Sequence, residues 1–184
     1  MKYYDYSSAG AYFVTICTHN RELLFGHINE GELFLNEYGF LVEKRLLQIP
    51  DHFPGALIDE YVIMPNHFHG IIILEGESSR NQRRTIEGPD QDASSQSRRL
   101  KPKLGDIIAY LKYLTTKDIN AIRDAPGQKV WQPDYYDHVI RNERALNRIR
   151  MYIRANPKQW NSDPENPEAI NRPSSTLNDP PWHR

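Results

Sequence analysis

Two β-rich runs, Leu57–Met64 and His67–Leu74, meet at Pro65-Asn66. A proline and an asparagine between such runs make a tight turn or bulge, so the two segments are expected to pair as antiparallel strands. Whatever else the chain does, its fold has to accommodate this hairpin. Side chains alternate along a strand, so His67 and His69 share one face while Phe68 enters the opposite layer. Two neutral imidazoles placed this way can grip one metal ion without bending the backbone. They can equally be ordinary polar residues on a half-exposed face, and the pair alone does not choose.

The segments around the hairpin suggest how it is covered. Ala11–Thr18 is β-branched and aromatic and reads as a central strand with both faces covered. Leu24–Ile28 and Glu32–Leu35 flank Asn29-Glu30-Gly31, whose glycine suits a small accessory hairpin. Asn36 can cap a helix with the stripe Tyr38, Val42, Leu46 and Ile49, ending at Pro50. Leu104, Ile107, Ile108, Leu111, Leu114, Thr115 and Ile119 recur at helical spacing, so an amphipathic helix is expected over 103–123. After Pro126-Gly127 come Val130–Pro133 and a strand at Tyr135–Ile140. Asn142 then caps a helix that runs to Asn156 and stops at Pro157. Strand, helix, strand, strand, helix, strand and a further helix suit an α+β, ferredoxin-like split βαβ antiparallel sheet, with the additional C-terminal helix carrying Tyr152.

At 184 residues the chain is long enough for one domain with an appendage, and two full domains are not expected. The apolar share, 39%, is low but concentrated in short runs, which points to a compact unit with polar excursions. The domain is placed at 1–160, with a flexible insertion at 76–100 that has scarcely an apolar residue, followed by an irregular tail at 161–184. No run approaches the roughly 20 apolar residues that span a bilayer, and Met1–Asp5 has no signal-peptide core. A cytoplasmic protein without a membrane partner is expected. The single cysteine, Cys17, lies in an apolar run and reads as a structural thiol, which excludes disulfides within the chain. The net charge of -1 hides an asymmetry, because residues 98–158 carry 14 Lys and Arg against 6 Asp and Glu. Such a segment can form a polyanion-binding face or a set of solvated helix surfaces.

On the last helix Ile149, Tyr152 and Asn156 fall on one face, with Tyr152 and Asn156 one turn apart. If that face packs on the strand bearing His67 and His69, Asn156 can add an oxygen ligand and Tyr152 hangs its phenol over the ion. Mg²⁺ or Mn²⁺ suits such a site and keeps places for phosphate oxygens. The phenol oxygen could then attack a phosphodiester and form a covalent phosphotyrosine. The plainer readings are a rim tyrosine packing on the core and an asparagine closing a helix.

Pro65-Asn66-His67-Phe68-His69-Gly70 resembles the HUH motif of single-tyrosine transposases acting on single-stranded DNA. Val130-Trp131-Gln132, Tyr135 through Glu143, Tyr152-Ile153 and Asn156-Pro157 resemble the REP-associated tyrosine transposase branch. The likeness spans about residues 3–160. It implies that His67, His69 and Asn156 hold a divalent metal, Mg²⁺ or Mn²⁺, and that Tyr152 is the nucleophile. It implies cleavage and rejoining of single-stranded DNA near REP-type palindromic hairpins through a 5′-phosphotyrosine, in a nucleoid-associated homodimer or monomer. DNA contacts are expected from Lys112, Lys117, Arg144, Arg148 and Arg154, with stacking on Trp131, Tyr135 or Tyr136. Gln132 and Arg141 match the pattern as DNA-contact or structural residues, and His138 reads as a strand-packing histidine. Other readings of the same fold are a hairpin-binding module with a vestigial site and a nuclease that uses water.

Overall fold

The computed structural model describes residues 9–76 and 102–169. The expected insertion lies outside the described residues from 77 on, and so does the end of the expected tail. The first strand, β1 (Gly10–Cys17), is followed by a small hairpin of β2 (Gly26–Asn29) and β3 (Glu32–Leu35). Its turn places Glu30 and Gly31 at φ 51° and 79°. Two successive left-handed residues are what a tight hairpin turn requires, and the glycine supplies one without steric cost.

Asn36 caps α1 (Glu37–Leu47), its side-chain oxygen accepting from the amides of Tyr38 and Gly39 at 3.0 Å each. The predicted stop at Pro50 is instead a joint. A second short helix, α2 (Ile49–His52), begins there, because proline fits the first turn of a helix, where its missing N–H is not needed. Next come β4 (Ala56–Met64), β5 (His67–Leu74), α3 (Leu104–Ile122), β6 (Tyr136–Ile140) and α4 (Glu143–Ala155). The sheet order is β4-β5-β1-β6, with every pairing antiparallel. This is the split βαβ arrangement expected from the sequence. Ahead of β6, Trp131 contributes a single bridge to Thr18.

The alternation of β1 explains why both faces of the sheet are covered. Tyr12, Val14 and Ile16 join Leu46, Ile107, Ile108 and Leu111 in a core on one side, where α1 and α3 lie. Phe13 points to the other side, into a second core formed with Ile71, Leu146, Ile149 and Ile153, beneath α4. Ile149 and Ile153 are essentially sealed from solvent. Burial of side chains this size contributes ~1.5–3 kcal/mol each, so α4 is clamped by its apolar stripe.

A bulge in β4 between Ile58 and Tyr61 sets the register on which that second core depends. Without it Ile58 and Val62 would share a face; with it Ile58, Tyr61 and Ile63 face α1 while Val62 and Met64 face α4. The bulged residues Asp59 and Glu60 are left to grip α4 from the side. Arg150 donates to both Asp59 carboxylate oxygens at 2.8 Å, and Arg154 reaches Glu60 at 2.7 Å. One turn of helix thus meets two consecutive strand residues, which fixes where Tyr152, lying between the arginines in sequence, must hang.

Candidate metal and tyrosine site

On the α4 side of the sheet, cross-strand register builds a row from Val62, His69, Thr15 and Tyr136, with Met64, His67 and Cys17 in the row beside it. Gly70 keeps this hairpin tight: a Cβ there would lie 2.3 Å from the Phe68 ring, which is buried on the opposite face. Over the histidine rows α4 lowers Tyr152, whose hydroxyl stands 3.5 Å from His69 Nε2. Its ring leans on Phe13 and His69, with centroids 6.1 and 5.4 Å away. The strand and the helix, separated by 83 residues, do meet.

His67 is fully buried and His69 is 4% exposed, and their Nε2 atoms are 3.1 Å apart. Burial, the charge of His69 and that of Arg21 hold His67 well below the usual imidazole range, and burial alone lowers His69 to about 3. Both rings are therefore neutral, the form in which an imidazole can ligate a metal. Asn156 is buried one turn beyond Tyr152, and its side-chain oxygen has no hydrogen-bond partner among the described residues. A buried acceptor left this way costs ~1–3 kcal/mol, a cost that a cation would offset.

The sequence reading missed Asp163. It falls in the expected irregular tail, yet it is buried, with its carboxylate 3.8 Å from His67 Nε2. Ligand atoms from His67, His69 and Asp163 all lie within 4.8 Å of one another. The signal was the repeated Asp163-Pro164-Glu165 and Asn166-Pro167-Glu168. In each triplet the Asx oxygen accepts from the glutamate amide two residues on, at 2.7 and 2.9 Å, giving two consecutive Asx turns. The accessory hairpin also supports this segment, because Ile28 and Leu33 pack with Trp160 in the core beneath α4. Two imidazoles and a carboxylate form a donor set suited to a divalent ion.

The acidic neighbours set the remaining electrostatics. Burial pushes Asp163 up to about 6, partly opposed by the Glu165 amide that it accepts from. Burial and the charge of Asp163 raise the Tyr152 phenol above its ordinary value, while a hydrogen bond from Asn156 opposes them. Burial, then Glu165, pushes the Cys17 thiol up to about 12, so it is no nucleophile at neutral pH.

These shifts predict an acid response. In the unfolded chain each imidazole binds a proton near pH 6.5, which neither binds in the fold until far lower pH. Acidification below pH 6.5 therefore favours unfolding. Asp163 works the other way: its folded value lies above the 3.8 of the unfolded chain, so it stabilises the fold at low pH and loses that contribution as pH rises through about 6. Between pH 6 and 4 these three groups leave a net uptake of one proton on unfolding, a fall of about 1.4 kcal/mol per pH unit. In Asp163→Asn the fall should steepen towards about twice that, as read from urea midpoints across this range.

The expected DNA-contact residues divide. Trp131 is buried, packs on Phe25 at 4.9 Å and donates its indole N–H to Thr115 at 2.8 Å, so it belongs to the core and is not a stacking platform. Lys112 donates to the carbonyls of Gln132, Pro133 and Asp134 at 2.9, 3.1 and 2.9 Å, clamping that loop beside Tyr135, which is itself part of the core margin. Arg154 is paired with Glu60. Arg141, Arg144, Arg148 and Lys117 are exposed and carry no ion pair among the described residues. Tyr136 is 44% exposed on the site's face of β6. Gln132 lines a concavity of about 450 Å³ with His19, Asn20 and Arg21.

The sheet and its helices share their fold with a solved transposase. The chain superposes on a REP-associated tyrosine transposase bound to a REP hairpin with a TM-score of 0.54, at 19% identity, over 85% of this chain and 72% of that one. No family model matches. An uncharacterized protein of Haemophilus influenzae (strain Rd) is 40% identical over 168 residues, 89% of this chain and 88% of the relative, and the chain belongs to that protein's family. Among the described residues no helix is long and apolar enough to cross a membrane.

Proposed function

We propose that this chain is a single-domain, metal-dependent single-tyrosine DNA strand transferase of the REP-associated kind, acting on single-stranded DNA beside palindromic hairpins. The observation that carries this reading is the Tyr152 hydroxyl 3.5 Å from a buried, neutral histidine pair. His67, His69 and the side chains of Asn156 and Asp163 would hold the ion. Two nitrogen donors tilt the site towards Mn²⁺ over Mg²⁺. When bound, the ion supplies Lewis-acid polarisation of the scissile phosphate. The Tyr152 oxygen bonds to phosphorus as the bond to the 3′-oxygen breaks, and the phenolic proton is balanced by the one gained on the free 3′-hydroxyl. The 5′-phosphotyrosine conserves the bond energy for rejoining, so no nucleotide cofactor is needed.

Arg141, Arg144 and Arg148 form a stripe from the N-terminal cap of α4 onto its exposed face. With Lys117, Gln132 and the exposed ring of Tyr136, they are the groups available to the strand. Replacing Arg144 and Arg148 together should weaken binding to all single strands alike and lower the slope of log affinity against log salt by about 0.7 for each charge removed. Fluorescence anisotropy over a salt series measures it. The function itself is tested with a labelled single strand, the protein and Mn²⁺. An SDS-resistant complex is expected; binding without it would leave a hairpin-binding module, and cleavage without it a nuclease using water.

A further inference from the structure

The two imidazoles of the site are 3.1 Å apart through Nε2, so one ring donates to the other. Their remaining nitrogens decide which. His67 Nδ1 lies 2.8 Å from Asn66 Oδ1. Asn66 cannot present its nitrogen there, because Nδ2 donates to the carbonyls of Glu165 at 2.7 Å and Arg21 at 3.3 Å. Turning the amide over would set an oxygen against two carbonyl oxygens in a fully buried place. His67 therefore carries its hydrogen on Nδ1 and shows a lone pair at Nε2. His69 Nε2–H donates to that lone pair, which leaves His69 Nδ1 as an acceptor. Thr15, the cross-strand neighbour of His69, meets this nitrogen with its hydroxyl at 2.8 Å.

As a ligand through Nε2, His69 needs the opposite arrangement, with its hydrogen on Nδ1. A hydroxyl is the side-chain group that serves both states, since it can donate to a bare nitrogen or rotate and accept from N–H. Thr15 is only partly buried, so its own hydrogen has solvent to turn towards. We propose that Thr15 and Asn66 are positioning residues of the metal centre: Asn66 locks His67 in its ligating tautomer, and the two-way hydroxyl of Thr15 lets His69 exchange tautomers when an ion binds. The exchange is neutral, with one proton leaving Nε2 and one arriving at Nδ1. The same Asn66 amide, through the Glu165 carbonyl, ties down the turn that presents Asp163. The inference rests on the metal reading given above.

Two measurements test it. In long-range ¹H–¹⁵N spectra of the full chain, His67 should show Nδ1–H with and without Zn²⁺, a diamagnetic probe, and His69 should pass from Nε2–H to Nδ1–H as Zn²⁺ is added. Calorimetric Mn²⁺ titration should show Thr15→Val, isosteric and unable to accept, binding roughly 10–100-fold more weakly, and Thr15→Ser binding within about threefold of the parent. Zn²⁺ binding with His69 still protonated at Nε2, or Thr15→Val binding Mn²⁺ as tightly as the parent, overturns the proposal and leaves the metal site standing. A parent protein that binds neither ion overturns both.

Discussion

Tyr152→Phe protein mixed with single-stranded DNA and Mn²⁺ is expected to give no SDS-resistant complex, a loss of at least roughly 10³-fold in strand transfer. The substitution removes one oxygen and little else. The ring stays against Phe13 and His69, and the stripe of Leu146, Ile149 and Ile153 that holds α4 is untouched. The cost to folding is about 1 kcal/mol, from the hydrogen bond with Asn156. Binding of DNA should therefore persist, because the exposed Arg141, Arg144 and Arg148 are left in place. The readout is a denaturing gel of labelled strand beside an anisotropy titration of the same protein. An adduct that survives the change would move the nucleophile, and Tyr136, on the same face of the sheet, would be the next candidate.

The second large effect concerns the ion. Replacing His67 and His69 together by alanine should abolish Mn²⁺ uptake in calorimetry, and with it adduct formation, while EDTA should silence the parent protein in the same way. Single changes divide the oxygen ligands. Asp163→Asn removes a charge facing His67, and Asn156→Ala removes the orphaned oxygen along with the hydrogen bond to the phenol. A drop of roughly 10²-fold or more in Mn²⁺ affinity marks a direct ligand. Asn156→Ala should show it if the helix supplies the third ligand, as expected from its place one turn beyond Tyr152. Asp163→Asn should show it if the turn after the helix does. Mn²⁺ affinity unchanged in the double histidine variant would sink the metal site altogether.

Trp131 and Lys112 show why a motif read in one dimension can mislead about contact. Both sit in the basic, aromatic region that pointed to nucleic acid. The tryptophan fills space beneath Phe25, and the lysine ties three consecutive carbonyls of one loop together. Aromatic and basic residue types serve a core edge and a DNA groove equally well, so composition could not separate them. Arg154 illustrates the same limit: its partner, Glu60, lies 94 residues away at the bulge in β4, a meeting that no local pattern announces.

What the sequence determined by itself was local. Strand alternation put His67 and His69 on one face, and helical spacing put Tyr152 and Asn156 on another. The order of strands and helices left few ways to stack them, because each of these inferences reaches over only a turn or a pleat. Tertiary structure alone decided which side of the sheet receives α4, that Asp163 folds back onto His67, and that Thr15 and Asn66 stand behind the two imidazoles. Those facts depend on register between segments up to about a hundred residues apart, set by a bulge and by pairs of Asx turns, and such registers are chosen by packing energy summed over the whole core.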